Sequence, residues 1–398
     1  MSGKSTTAKR AGKSKPVDKP PFRHQSGRWA KKVKGQFVYL GSIADDPDGE
    51  RAQRVWNEQC HGIRAGRKPI LDDSQAPEGV TVKELCDRFL AEKQTAVENG
   101  ELAQRSWQDY FETCLRVADT LTRRRLVSDL TPADFAHLRA SLAFGRGLVT
   151  LKNEIARVRV MFRWGFESEL LENAARFGAG FKPPSAKNLR VARAEKGPRC
   201  FDREQLVKVL GAVGVQIKAM VLLGINCGLG NSDCARLRFG HVDLKAGWLD
   251  FPRPKTGEPR RAKLWPETVA AVKAAIDTRP APSDPEHGEL LFVTKYGRPW
   301  REDSHRNSPL SHEFAKVLDE LGLKRPGLNF YALRHTLQTV GEGALDKAAL
   351  ARIMGHVADA RDMSATYREH VADERLEAVA KFVRKWLFPP AVKKRKPR

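Results

Sequence analysis

Residues able to bind an anion, move a proton and attack an electrophile stand in order toward the C-terminus. Arg334 and His335 lie in Tyr331-Ala332-Leu333-Arg334-His335-Thr336, His356 follows Met354-Gly355, and Tyr367 closes Ser364-Ala365-Thr366-Tyr367. Arginine presents a fork of donors that grips an oxyanion bidentately. Histidine exchanges protons near neutral pH, and a tyrosine hydroxyl can attack and keep a group covalently. A lysine stands upstream, in Lys255-Thr256-Gly257. Each fragment also has a plain structural reading. An Arg-His pair can be ordinary helix surface, Gly355 can cap a helix in a left-handed turn, and a tyrosine can be core or rim. Order and spacing raise them above that: Arg334 precedes His356 by 22 residues, and Tyr367 follows by 11.

These groups need elements to hold them. Residues 198–388 read as mixed α/β. A helix capped by Asp202 opens the stretch. Two helical stretches within 215–238 are separated by INCGLGNSD, and a hairpin follows: GWLDFPRP, the turn KTGEP, then RRAKLW. Helices are expected at 266–276, 309–321, 330–340, 345–354 and 372–387. Upstream, residues 80–180 read as a helical domain. Thr81 caps VKELCDRFLAEK with Glu84 completing a capping box, residues 104–122 are amphipathic, Thr131 precedes Pro132 at a helix start, and 149–171 repeat apolar residues at three and four. A basic linker is expected over 183–197. Residues 22–68 read as a small module: a hairpin within 27–42 turning at Gly35, then a helix over 48–66, with a linker at 69–79. Its basic residues Arg28, Lys31, Lys32 and Lys34 suit a β-ribbon that reads DNA, although a purely structural sheet would also fit.

Composition narrows the class. The chain has 398 residues and a formal charge of +23; the tails, 1–20 and KKRKPR, carry about +10 of it, so about +13 remains on the body. A basic body rewards a polyanion partner through counterion release, with ribosome or membrane-surface association as the competing readings. Residues 1–21 and 389–398 read as disordered basic tails. Apolar residues make up 41%, which excludes a wholly disordered chain, and no stretch suits a membrane span. The first residues have no apolar core, so no signal peptide is expected. Six cysteines at 60, 86, 114, 200, 227 and 234 form no CxxC pair, which fits free thiols in a reducing cytosol and no zinc site. No nucleotide-binding glycine loop is visible.

With these residues in place, the chain resembles the tyrosine recombinase (phage integrase) family. The family ends in an H-x-L-R-H-T box, an L-G-H box and a tyrosine about ten residues on; Tyr331–Thr336, Met354-Gly355-His356 and Tyr367 stand there. Its T-G-L-R-x-x-E-L-x-x-L-R-W box corresponds to Cys227–Phe239, and its K-T-G turn to Lys255-Thr256-Gly257. The resemblance implies a mainly α protein with small β-sheets: an arm-type β-sheet module at 22–68, a helical core-binding (SAM-like) domain at 80–180, and a mixed α/β catalytic domain at 198–388.

The resemblance also implies roles. Tyr367 attacks the scissile phosphate and forms a 3′-phosphotyrosyl link, Arg334 clamps the non-bridging oxygens, and His356 donates a hydrogen bond or manages the tyrosine proton. Lys255 protonates the departing 5′ oxygen, while His335 braces the helix and Arg334 from behind. Arginine and lysine supply the positive charge, so no metal or cofactor is implied. Implied partners are double-stranded DNA with attachment-type sites, further copies of the chain in a homotetramer, and a DNA-bending accessory protein. A cytoplasmic, nucleoid-associated location follows.

Two positions depart from the family. Gly230 stands at the first catalytic arginine, and Tyr331 replaces a histidine but keeps a hydroxyl donor. Losing a phosphate-clamping group commonly costs several kcal/mol of transition-state stabilisation. Arg236, Arg238, Arg260 and Arg261 are the candidates for its replacement. Two alternatives to a mobile-element recombinase are therefore a binding-only protein on the same fold and a type IB-like topoisomerase.

Overall fold

A computed structural model describes residues 19–64, 66, 68–69, 71, 79–301, 308–357 and 370–390. The chain divides after Leu189 into two compact units. The architecture is mainly helical, with two small antiparallel sheets among the described residues.

The first unit begins with a sheet in the order β1 (Phe22–His24), β2 (Arg28–Val33) and β3 (Gln36–Ser42), followed by α1 (Glu50–Arg64). Lys34 and Gly35 both take positive φ, 48° and 87°. That is the two-residue turn whose twist matches a β-hairpin. Trp29, Leu40, Ala52, Val55, Trp56 and Ile63 form a private core between sheet and helix. Lys31 belongs to this inner side: it is 7% exposed, and its ammonium lies 4.6 Å from the centre of the Trp56 ring. Of the four basic residues expected to suit a DNA-reading ribbon, Lys31 is therefore turned away from solvent. Successive strand residues point to opposite faces, and it is Lys32 that faces out, beside Phe37. Arg28 is exposed and packs over Tyr39, and Lys34 is exposed at the turn.

Four helices follow: α2 (Val82–Glu98), α3 (Gln104–Leu121), α4 (Pro132–Ala143) and α5 (Leu148–Glu167). Their buried stripes meet in one core around Phe89, Phe135 and Phe162. Thr81 Oγ1 accepts the Glu84 amide at 3.1 Å, but the Glu84 carboxylate turns outward to Arg88 at 2.6 Å, so only half of the expected capping box forms. At α4 the box is anchored by Asp134. Its carboxylate accepts from the Thr131 amide at 2.8 Å and from both terminal nitrogens of Arg125 at 2.7 and 2.6 Å. The stretch expected as a linker at 183–197 contains α6 (Ala186–Ala194), started by Ser185 Oγ accepting the Asn188 amide; the division between units falls within it.

The second unit is built round α8 (Val215–Cys227), preceded by α7 (Arg203–Ala212). From Ala219 to Cys227 every residue of α8 is buried, as expected of a helix apolar on all sides. Gly228, in the left-handed conformation at φ 67°, ends it, and α9 (Asn231–Arg236) begins after Gly230. The break is therefore shorter than the INCGLGNSD segment suggested, because Ile225-Asn226-Cys227 complete α8. A sheet in the order β4 (Val242–Asp243), β5 (Trp248–Asp250), β6 (Arg261–Lys263) comes next, then α10 (Pro266–Asp277) and α11 (Pro309–Glu320). The unit closes with α12 (Ala332–Gly341), α13 (Lys347–Met354) and α14 (Asp373–Leu387). Beyond β5 and β6 the hairpin stays paired: the Phe251 amide donates to Arg260 O at 3.0 Å and the Arg253 amide to Glu258 O at 2.8 Å. This ladder carries Lys255 to the tip. No helix among the described residues is long and apolar enough to cross a membrane.

Candidate active site

Arg334 lies in the first turn of α12 and is 3% exposed. Its guanidinium donates to Gly228 O and to Met354 O, both at 2.6 Å. These carbonyls end α8 and α13, so one side chain ties two helix C-termini and uses their partial negative charge. Gly228 is needed for this. Its left-handed φ favours glycine, and a Cβ there would sit 3.1 Å from Leu337 Cδ2 and 3.4 Å from Arg334 Nη1. Burial first, and then the charge of Arg253, lower the Arg334 pKa to about 10. The group remains a cation at pH 7.

His356 arrives through the end of α13. Gly355 takes φ 58°, its amide donates to Arg352 O, and the His356 amide donates to Ala351 O at 3.0 Å. The latter is the six-to-one bond of a Schellman motif. The plain reading of Gly355 as a helix cap and the functional reading of His356 therefore coexist: the cap aims the histidine. Burial, then Arg334 and Arg253, push the His356 pKa below its ordinary value. The imidazole is thereby neutral at pH 7, able to accept a proton.

A cleft of about 460 Å³ joins Gly230, Lys255, Tyr331 and Arg334 with two arginines the sequence reading passed over, Arg253 and Arg301. Its remaining wall is the first turn of α9, residues 231–233. Lys255 is exposed near the hairpin tip. Tyr331 is exposed and meets His335 edge-on, ring centroids 5.5 Å apart. His335 is exposed too, and no hydrogen bond joins it to Arg334; the carbonyls of Gly228 and Met354 hold that arginine instead. Tyr367 lies outside the described residues.

Gly230 has φ −88° and ψ 176°, extended backbone that any residue adopts. A Cβ there would meet Tyr331 Cδ2 at 3.4 Å and Asp233 Oδ2 at 3.7 Å, which is ordinary contact. The missing arginine is thus a chemical vacancy, not a backbone requirement. Of the four arginines weighed as replacements, Arg236 and Arg238 are exposed and line no part of this cleft. Arg261 is bound to Asp373 through two nitrogens, at 2.8 and 2.7 Å, and stacks on Trp248. Arg260 is 2% exposed behind the wall, donating to Asp233 Oδ2 at 3.0 Å and to Phe251 O at 3.0 Å. Arg253 sits two residues before Lys255, just ahead of the hairpin turn, and its partner Gly355 is 102 residues away, so no local pattern marks it.

Residues 201–374, most of the second unit, match the model of the phage integrase family. Among curated relatives the chain is 27% identical over 302 residues to the tyrosine recombinase XerC of Rhodospirillum centenum, covering 73% of this chain and 84% of that protein. It is 22% identical over 384 residues to IntQ of Escherichia coli (strain K12), a protein named as defective, covering 83% and 92%. The fold is also that of lambda integrase, solved as a tetramer bound to a Holliday junction: TM-score 0.56, 13% identity, 87% of this chain and 98% of that one.

Proposed function

We propose that the chain is a site-specific recombinase that cuts and rejoins double-stranded DNA through a 3′-phosphotyrosyl intermediate. The observation that carries this reading is the buried Arg334, kept cationic and fixed by two helix ends beside the cleft that Lys255 enters. A preorganised cation beside the reacting phosphate is what a phosphorane-like transition state requires. In the proposed step Tyr367 Oη attacks phosphorus, its proton passes to His356, the P–O5′ bond breaks, and Lys255 protonates the departing oxygen. Rejoining reverses each transfer. Residues 22–68 act as the arm module, 80–180 as the core-binding domain and 198–388 as the catalytic domain. Four copies on DNA, a cytoplasmic setting and a bending partner complete the reading; the tetrameric assembly of lambda integrase supports it by analogy.

A binding-only protein is the second reading, favoured by the side chain absent at Gly230 and by the likeness to a relative named as defective. A nicked duplex carrying the attachment site separates the two, because cleavage loses the short strand and traps the covalent adduct. Wild type should form the adduct, while Tyr367→Phe should bind and fold without forming it. An adduct in the Phe variant would shift the nucleophile to Tyr331; no adduct in wild type would favour the binding-only reading.

A further inference from the structure

The guanidiniums of Arg253 and Arg334 are anchored on consecutive carbonyls. Arg334 Nη2 donates to Met354 O at 2.6 Å and Arg253 Nη1 to Gly355 O at 3.3 Å. The next residue is His356. Gly355 makes this approach possible: a Cβ there would lie 3.1 Å from Arg253 Cβ and 3.5 Å from Arg260 Cβ. The hairpin just below its tip is therefore pressed against the end of α13, and Arg253 is delivered beside Arg334. Both arginines line the cleft that Gly230 leaves without a side chain.

Two guanidiniums on one turn repel each other unless an anion lies between them. Asp233 is the carboxylate in the described cleft wall, and its Oδ2 is already engaged by the Gly230 amide at 2.9 Å and by Arg260 at 3.0 Å. The charge of Arg253 acts on Arg334 and on His356 alike. The Arg253 side chain makes a single long hydrogen bond to protein among the described residues, which leaves most of its fork to face a ligand. Arg301 lies on another wall, donating to Ser232 Oγ at 2.8 Å.

We propose that Arg253 is the catalytic arginine that clamps the scissile phosphate together with Arg334, supplying from the hairpin the contact that Gly230 cannot. The inference rests on the recombinase reading above. Lys255 and Arg253, two residues apart, then serve the leaving oxygen and the non-bridging oxygens from one hairpin. The cation has moved from a helix start to a hairpin while the charge around the phosphate is kept.

The test uses the full chain with Arg253→Ala, Arg253→Lys and Arg301→Ala on the nicked duplex. Arg253→Ala should slow adduct formation by about a hundredfold or more with DNA affinity retained, and Arg253→Lys should recover part of the rate. Replacing the scissile phosphate with a neutral methylphosphonate should remove most of the Arg253→Ala deficit, which a merely structural defect would not allow. Wild-type cleavage by Arg253→Ala, or the large loss appearing at Arg301 instead, overturns the assignment. Should Arg253→Ala fail to fold, the Lys variant carries the same comparison. If wild type forms no adduct, the recombinase reading fails, and calorimetric titration with inorganic phosphate then decides on Arg253. Weaker binding in both Arg253→Lys and Arg334→Lys supports the paired clamp, and unchanged binding in Arg253→Lys overturns it.

Discussion

Asp233 Oδ2 accepts a hydrogen bond from Arg260 Nη1 at 3.0 Å and another from the Gly230 amide at 2.9 Å. Arg260 thereby braces the start of α9 from behind, with its side chain wholly buried. Removing one partner of a buried pair leaves the other charge uncompensated. Arg260→Ala should therefore destabilise the chain by about 3 kcal/mol or more, read as a lower urea midpoint. Its effect on cleavage should follow that instability. A normal midpoint combined with a hundredfold loss of cleavage would instead make Arg260 the phosphate ligand.

Gly230→Arg probes the same wall from the other side. The extended backbone and the ordinary Cβ contacts at 230 accept the new residue without strain, so the outcome reports on chemistry. With Arg253 and Arg301 already in the cleft, a further guanidinium adds repulsion where no carboxylate is free to meet it. Adduct formation on the nicked duplex should fall. A rise in cleavage, with no loss from alanine at 253, 260 or 301, would mean that the vacancy was never filled.

Asp134 sets an acid limit on the helical part of the first unit. Partial burial opposes its ionisation, but the bonds from Arg125 and Thr131 outweigh this and hold its pKa at about 2, below the ordinary 3.8. A depressed carboxylate contributes stability that is complete above 3.8 and is lost as pH falls through about 2. Asp134→Asn should cost about 2 kcal/mol at pH 7 and should flatten the fall in melting temperature between pH 4 and 2 seen in wild type. Parallel acid profiles for the two proteins would assign the limit to other carboxylates.

What the sequence made legible follows from where the information lies. Arg334, His356 and Lys255 stand out in the sequence because their spacing is tied to helix ends and a hairpin turn, which leave local marks such as Gly355 and Lys255-Thr256-Gly257. The helices were legible where a stripe repeats, as in α5 and α14, and where a cap is spelled out, as at Thr131 and Asp202. What stayed hidden depends on chain segments far apart in sequence. Arg253 meets Gly355 across 102 residues and Arg260 meets Asp233 across 27, and no local pattern announces either. Arg236 and Arg238 are near Gly230 in sequence and Arg260 and Arg261 lie on the second hairpin strand, whereas the cleft takes Arg253 from the opposite side of that hairpin. Helix α6 escapes a sequence reading because its nine residues hold only two large apolar side chains, Leu189 and Val191, too few to show a period.

The sheet of the first unit gives the last prediction. Lys31 and Lys32 are adjacent in sequence but sit on opposite sides of β2, Lys31 against Trp56 and Lys32 beside Phe37. On the proposed arm surface, Arg28 and Lys32 are exposed, so each can reach a phosphate. Alanine at either should weaken binding to DNA and lower the slope of log affinity against log salt by about one unit. Lys31→Ala should leave that slope unchanged and lower the melting temperature, because it removes an ammonium packed on a buried indole, an interaction worth about 1–2 kcal/mol. Measuring affinity at several salt concentrations, with melting curves on the same samples, distinguishes the two effects. A reduced slope for Lys31→Ala, with Arg28→Ala and Lys32→Ala unaffected, would place the DNA on the other side of the sheet.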